Sequence, residues 1–173
     1  GVRKLMLTMA KVSIIVCAQS NDKYLEQTLT SLRRQQTNFN VEIVLAWWSN
    51  DSRLPSVSEA CVNKVVCGAN PLIQNAKASA MANAIKAAIG EYIYLLEEPT
   101  VITDKWLLQT LVDFLDNHNE FLAAAHNILE VLRPNSANVA IPWANDRLLP
   151  IAGVLEDRTL NERGVFILRN QAT

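Results

Sequence analysis

The sequence predicts an α/β fold in which a mostly parallel sheet carries helices on both faces. Three observations predict it. Continuous apolar, β-branched runs recur, as strands buried on both faces do. Between them lie segments with apolar residues three and four apart, the mark of a helix with one buried face. The two patterns alternate along the chain, as in βαβ units.

The run Val-Ser-Ile-Ile-Val-Cys predicts a first strand over 11–17. Ser20, Asn21 and Asp22 follow as turn and cap residues. Leu25, Leu29 and Leu32 give the apolar face of a helix over 22–34. A second strand is predicted over 41–46 and a third, shorter one over 63–67, with a polar loop over 49–59 between them. The helix over 72–88 is alanine-rich, with Leu72, Ala76, Ala80, Ala84 and Ala88 at spacings of four; small side chains on one face let it lie close on a sheet. Gly90 is expected to end it. A fourth strand covers 91–96. Thr103 is the expected cap of a helix over 103–117 carrying Trp106, Leu107, Leu111, Phe114 and Leu115. Further strands are expected over 121–125 and 165–168. Residues 133–164 hold three prolines and read as a long irregular loop or flap.

This organisation suits one domain over 1–173, expected to be a part of a larger protein. Crossovers should be right-handed. Ligands in such sheets bind at the carboxyl ends of the strands, where strand order reverses. Function is therefore expected at 18–21, 47–51, 68–71 and 97–99.

Composition excludes several classes. Half the residues are apolar and 19% charged, so a core forms and disorder is not expected. With 16 basic and 17 acidic residues the net charge is −1, which leaves no electrostatic footprint for nucleic acid. Cys17, Cys61 and Cys67 are odd in number and show no C-x-x-C spacing, so neither a zinc site nor a disulfide framework is signalled. They read as free thiols in a reducing, cytoplasmic setting. His118 and His126 are expected to be structural. No stretch reaches the ~20 apolar residues of a membrane span.

Several landmarks then carry a resemblance. The Val-Ser-Ile-Ile-Val run, the segment from Lys23 to Leu32, and Val-Glu-Ile-Val-Leu at 41–45 resemble the opening of family 2 glycosyltransferases. Ala-Ile-Gly-Glu-Tyr-Ile-Tyr-Leu-Leu at 88–96 looks like the family's approach to its metal motif. Trp106-Leu107 and Gly-Val-Phe-Ile-Leu-Arg at 164–169 are similar to later landmarks. In order, they cover residues 11–172. The resemblance implies a GT-A fold, a nucleoside diphosphate sugar held at the strand ends, a divalent metal on an Asp-x-Asp pair, a carboxylate base and transfer with inversion.

The family's site positions are altered one by one. Gln19 stands where the first strand runs into an aromatic turn. Trp47, Trp48, Ser49 and Asn50 replace the Asp-Asp-Gly-Ser that grips the nucleotide base. Met81 replaces the arginine of Ala-Arg-Asn-x-Gly, and Glu97-Glu98-Pro99 stands for Asp-x-Asp. Glu97 and Glu98 are neighbours and should point apart, and Pro99 has no ligand atom. Gln19, Trp47, Trp48, Asn50, Met81 and Glu97 are thus the positional candidates for nucleotide or sugar contact, with Glu97 also the candidate metal ligand. The family's base lies beyond the 164–169 strand, so no catalytic residue is assigned.

Two readings remain open at Trp47 and Trp48. They stack on a sugar or base, or they pack, one into the vacated pocket and one under the 133–164 loop; packing is favoured. The favoured function is a family 2-like module with degenerate donor and metal motifs, non-catalytic, binding or scaffolding. It needs no cofactor, and its partners are a nucleotide-sugar or glycan, or another domain or protein of glycan synthesis. The alternative is an active, divergent glycosyltransferase using Glu97 with magnesium or manganese and a base outside these residues.

Overall fold

The structure, a computed structural model, describes residues 10–19, 23–49, 62–68, 75–128 and 163–170. Six strands and three helices follow in the order β1 (Val12–Ala18), α1 (Lys23–Arg33), β2 (Val41–Trp47), β3 (Lys64–Cys67), α2 (Ala76–Ala87), β4 (Tyr92–Leu96), α3 (Leu107–Asn117), β5 (Ala123–Ile128) and β6 (Arg163–Arg169). The sheet order is β3-β2-β1-β4-β6-β5. β1 pairs in parallel with β2 and β4, and β2 with β3. β6 runs antiparallel to both its neighbours. The first four strands therefore form the expected parallel core.

The core divides into two layers because strand side chains alternate faces. Val12, Ile14 and Val16 of β1 join Leu25, Leu29 and Leu32 of α1 and Leu107, Leu111 and Leu115 of α3 on one face. Ile15 and Cys17 join Ala80 and Ala84 of α2 on the other. All seven residues of β1 are buried, which is why this run lacks polar alternation. Ala80 and Ala84 are fully buried, so the alanine stripe does seat the helix on the sheet; Leu72 lies outside the described residues. His118 packs by stacking its ring on Phe114, with centroids 4.3 Å apart.

Three local expectations are corrected. α2 ends at Ala87 with an extended Ala88, and Gly90, three residues further on, does not take the left-handed cap conformation. Its role is steric: a Cβ there would lie 2.5 Å from the Ser13 nitrogen. Thr103 does not cap α3, whose N-cap position is Trp106; the Asp104 carboxylate instead accepts from the Trp106 N–H at 2.8 Å. Trp106 is not on the buried face either. At the helix mouth its ring projects outward, 51% exposed, while Leu107 and Leu108 turn inward.

Polar side chains tie the amino-terminal edge of the sheet together. Glu42, on β2, is buried. Its Oε1 accepts from the Ser13 hydroxyl and from the Ile89 N–H at 2.8 Å. Its Oε2 lies 3.3 Å from the Lys64 ammonium, which also donates to the Ala87 carbonyl. Ser13 accepts in turn from the Gly90 N–H at 2.8 Å, and Asn170 donates to the Gly90 carbonyl at 2.9 Å. The exit of α2 into β4 is thus held by one satisfied network. Arg169 fastens α3 beside it, donating to the Leu115 carbonyl at 2.6 Å and the Tyr92 hydroxyl at 3.1 Å.

Candidate functional site

Strand order reverses between β1 and β4, because the chain steps outward through β2 and β3 and then returns to the far side of β1. The crevice outside their carboxyl ends is where such a sheet binds ligands. Of the segments expected there, the described residues are Ala18 and Gln19 after β1, Trp47 to Ser49 after β2, Gly68 after β3, and Glu97 to Pro99 after β4. Hydrogen bonds extend the ladder across this edge. The Trp48 N–H donates to the Ala18 carbonyl at 3.1 Å and the Gly68 N–H to the Trp47 carbonyl at 3.2 Å. Gly68 is required for close approach, since a Cβ would lie 2.7 Å from the Ala76 carbonyl oxygen. The first turn of α2 is therefore seated directly on the strand edge.

Register and alternation assign the candidate side chains to faces. Trp47 is opposite Ala18 and is buried on the α1 side, in the cluster that holds Leu25, Leu45 and Val62. Trp48 is half-buried and packs on the α2 side, against the cluster of Ile15, Cys17, Val44 and Ala46. The two indoles thus serve opposite faces. Met81, on α2, packs against that same α2-side cluster. Gln19 is exposed one residue past β1, and Glu97 and Glu98 are exposed one and two residues past β4. Asn50 lies outside the described residues.

Val16 pairs with Leu96, so one step further along the register Cys17 stands beside Glu97. Leu95 packs on the α2 side, and the alternation of β4 carries Glu97 to that side as well. Helical phase adds a third group. Asn83 of α2 donates to the Cys67 carbonyl, so that flank of the helix looks towards β3. Lys77 lies on the other side of the Ala80–Ala84 stripe, in the first turn and one turn before Met81, and so looks towards β1 and β4. The Cys17 thiol registers both charges. Burial pushes its pKa up to about 11, the Lys77 ammonium draws it down and the Glu97 carboxylate raises it further. The structure therefore brings Glu97, Met81 and Trp48 to one face with Cys17 and Lys77.

Lys77 is absent from the sequence-derived candidates. Its signal was present in the spacing, since 77 and 81 share one face of any helix over 72–88, but only the sheet order shows which strands that face overlooks. Among the described residues, no three His, Cys, Asp or Glu side chains stand together as a metal-binding group. No helix among them is long and apolar enough to cross a membrane.

Comparison with known proteins agrees with this topology. The family model described as Glycosyl transferase family 2 matches residues 13–146. The chain is similar to an uncharacterized protein, Mb1547, of Mycobacterium bovis, 23% identical over 141 residues, covering 78% of this chain and 41% of that protein. The chain thus spans well under half the length of the curated relatives it matches. Among solved structures it is similar to TarS of S. aureus, with a TM-score of 0.53 and 22% identity, over 92% of this chain and 28% of that one. It is also similar to CMP:2-keto-3-deoxy-manno-octonic acid synthetase complexed with CTP, with a TM-score of 0.50 and 12% identity, over 93% and 75% of the two chains. At these identities the two structures speak for the fold.

Proposed function

The chain belongs to glycosyl transferase family 2, and we propose that it is a donor-degenerate GT-A module that binds or scaffolds within a larger protein instead of transferring sugar itself. The observation that carries this reading is Trp47. At the carboxyl end of β2, where the family resemblance expects a carboxylate for the nucleotide base, the chain places an indole packed into the apolar core. A buried indole there offers the base's polar edge no acceptor, and each donor left unsatisfied costs about 1–3 kcal/mol.

The donor atoms at the crevice support the same conclusion. A hard divalent cation takes several oxygen ligands. Glu97 contributes one carboxylate, Pro99 has no side-chain donor, and the Cys17 thiol is buried with its pKa raised, hence protonated at neutral pH. Among the described residues this set does not fit magnesium or manganese. Met81 gives the diphosphate no charged contact of the kind a resident arginine supplies. The greater length of the relatives suits a module working beside other segments.

One observation favours the second reading, an active and divergent glycosyltransferase. Glu97 is exposed at the mouth of the crevice, on the same face as Trp48, where it is free to meet a ligand hydroxyl or a hydrated cation. A calorimetric titration of the 173-residue chain with uridine and guanosine diphosphate sugars, with and without manganese, separates the two. Weak binding that manganese leaves unchanged is expected. A manganese-dependent dissociation constant in the low micromolar range defeats the module reading and makes Glu97→Ala the next experiment.

A further inference from the structure

Away from the crevice, a slot lies open on the α2 side of the sheet. β6 is an inner strand, yet Phe166 at its middle is 50% exposed. Phe166 pairs with Leu95, and Leu168 with Ile93 and Ala123, so these side chains share the face on which Ile93 and Leu95 meet the α2-side cluster. α2 covers β1, β2 and β3, and α3 packs on the opposite face. Phe166 and Leu168 belong to neither buried cluster. An antiparallel pair whose outer face meets water carries polar side chains there. Among the described residues, this floor is apolar throughout. Its wall is α2, where Met81 and Ile85, one turn apart, lie half-buried on the flank towards β4.

The dimensions of the slot and the character of its edge name the occupant. The floor is three strands wide, about 14 Å, and the depth is one helix layer, about 10 Å. The same spacing, about 10 Å, separates two sheets packed face to face. A second copy, turned about a two-fold axis parallel to the strands, therefore lays its own β4, β6 and β5 on this floor with its sheet level with α2. The β5 edge of each copy then enters beside the Met81 and Ile85 wall of the other. That edge is suited to entry, since residues 123–128 hold no Lys, Arg, Asp or Glu. The opposite edge of the sheet, β3, carries Lys64, a residue type that guards edges against pairing. The net charge of −1 sets no long-range repulsion between copies. We propose that this face is the interface of a two-fold homodimer, with Phe166 at its centre.

The test is analytical ultracentrifugation of the 173-residue chain in reducing buffer over a wide range of concentration. A concentration-dependent equilibrium between monomer and dimer is expected. Phe166→Glu should weaken the dimer about a hundredfold or more, because a central aromatic is lost and the symmetry applies each substitution twice. Ile85→Glu, on the wall, should weaken it as well, and it reads the same slot where circular dichroism shows Phe166→Glu unfolded. Phe166→Leu should retain the dimer. Trp106→Glu alters an equally exposed aromatic at the mouth of α3, on the other face of the sheet, and should leave the dimer unchanged. A chain that stays monomeric throughout overturns the inference; a fall in Tm for Phe166→Glu then shows that the chain's own residues cover the face. A dimer that folded Phe166→Glu or Ile85→Glu leaves intact overturns it too, as does one that Trp106→Glu weakens equally.

Discussion

Glu42→Ala tests the account of how α2 is delivered into β4. Glu42 is buried, yet it is bounded by three donors: the Ser13 hydroxyl, the Ile89 N–H at 2.8 Å and the Lys64 ammonium at 3.3 Å. Truncation leaves the Ile89 N–H without its acceptor and removes the carboxylate that faces the partly exposed Lys64 ammonium. Ser13 still accepts from the Gly90 N–H but its own O–H loses its acceptor, while Lys64 keeps the Ala87 carbonyl. The loss is therefore two orphaned donors, the Ile89 N–H and the Ser13 O–H, each toward the lower end of about 1–3 kcal/mol, or about 3 kcal/mol in all. For a domain of this size that lowers Tm by about 6–12 °C. Glu42→Gln keeps a carbonyl oxygen for Ser13 and Ile89 and loses mainly the pair with Lys64, whose side chain is 38% exposed. That pair should be worth about 1 kcal/mol or less. Thermal and urea denaturation of Glu42→Ala, Glu42→Gln and Lys64→Ala give the ranking. If Lys64→Ala costs as much as Glu42→Ala, the ion pair and not the backbone contact holds the junction, and the reasoning fails.

Stability should fall in alkali. Burial raises the pKa of Cys17 from 9.0 to about 11, burial raises that of Tyr94, and burial with the Asp116 carboxylate raises that of Tyr92. For Lys11 burial lowers the pKa but the hydrogen bonds to Glu91 and Asp116 outweigh it, so the net shift is also upward. A raised folded-state pKa gives stability that is complete below the unfolded value and lost as pH rises through the folded one. Cys17 alone accounts for about 2–3 kcal/mol lost between pH 9 and 11, and urea denaturation across that range should show a shallower slope for Cys17→Ala. Ala84→Leu should destabilise by about 1–3 kcal/mol by lifting α2 off β1 and β2, whereas Ala82→Leu, on the exposed side of the same helix, should change little; equal effects would refute the seating of the alanine stripe. Thr28→Val should be neutral or stabilising by up to about 1 kcal/mol. The Thr28 hydroxyl is buried and has no hydrogen-bond partner, and a clear loss of Tm would show that it has one.

What the sequence by itself determined was the set of elements and their class. Strands buried on both faces and helices buried on one differ in periodicity, and periodicity is local, so β1, α1, β2 and β4 were legible within a residue or two. The absence of Asp-x-Asp at 97–99 and of carboxylates at 47–48 was equally legible, because it concerns identity at a position. Only the tertiary structure decided what those positions touch. Gly90 looked like a helix terminator, yet close packing on Ser13, seventy-seven residues away, is its reason. Thr103 looked like a cap, but tertiary contacts placed the helix mouth at Trp106. Trp47 and Trp48 are neighbours in the chain and part to opposite layers. Glu42 is one polar residue in an otherwise apolar strand, and only the pairing of β1 with β2 shows the hydroxyl that it accepts from. Lys77 and Glu97 are twenty residues apart, and both act on the Cys17 thiol because β4 lies on the far side of β1 from β2. Strand order depends on long-range pairing, which no local spacing encodes, and so the crevice between β1 and β4 belongs to the fold.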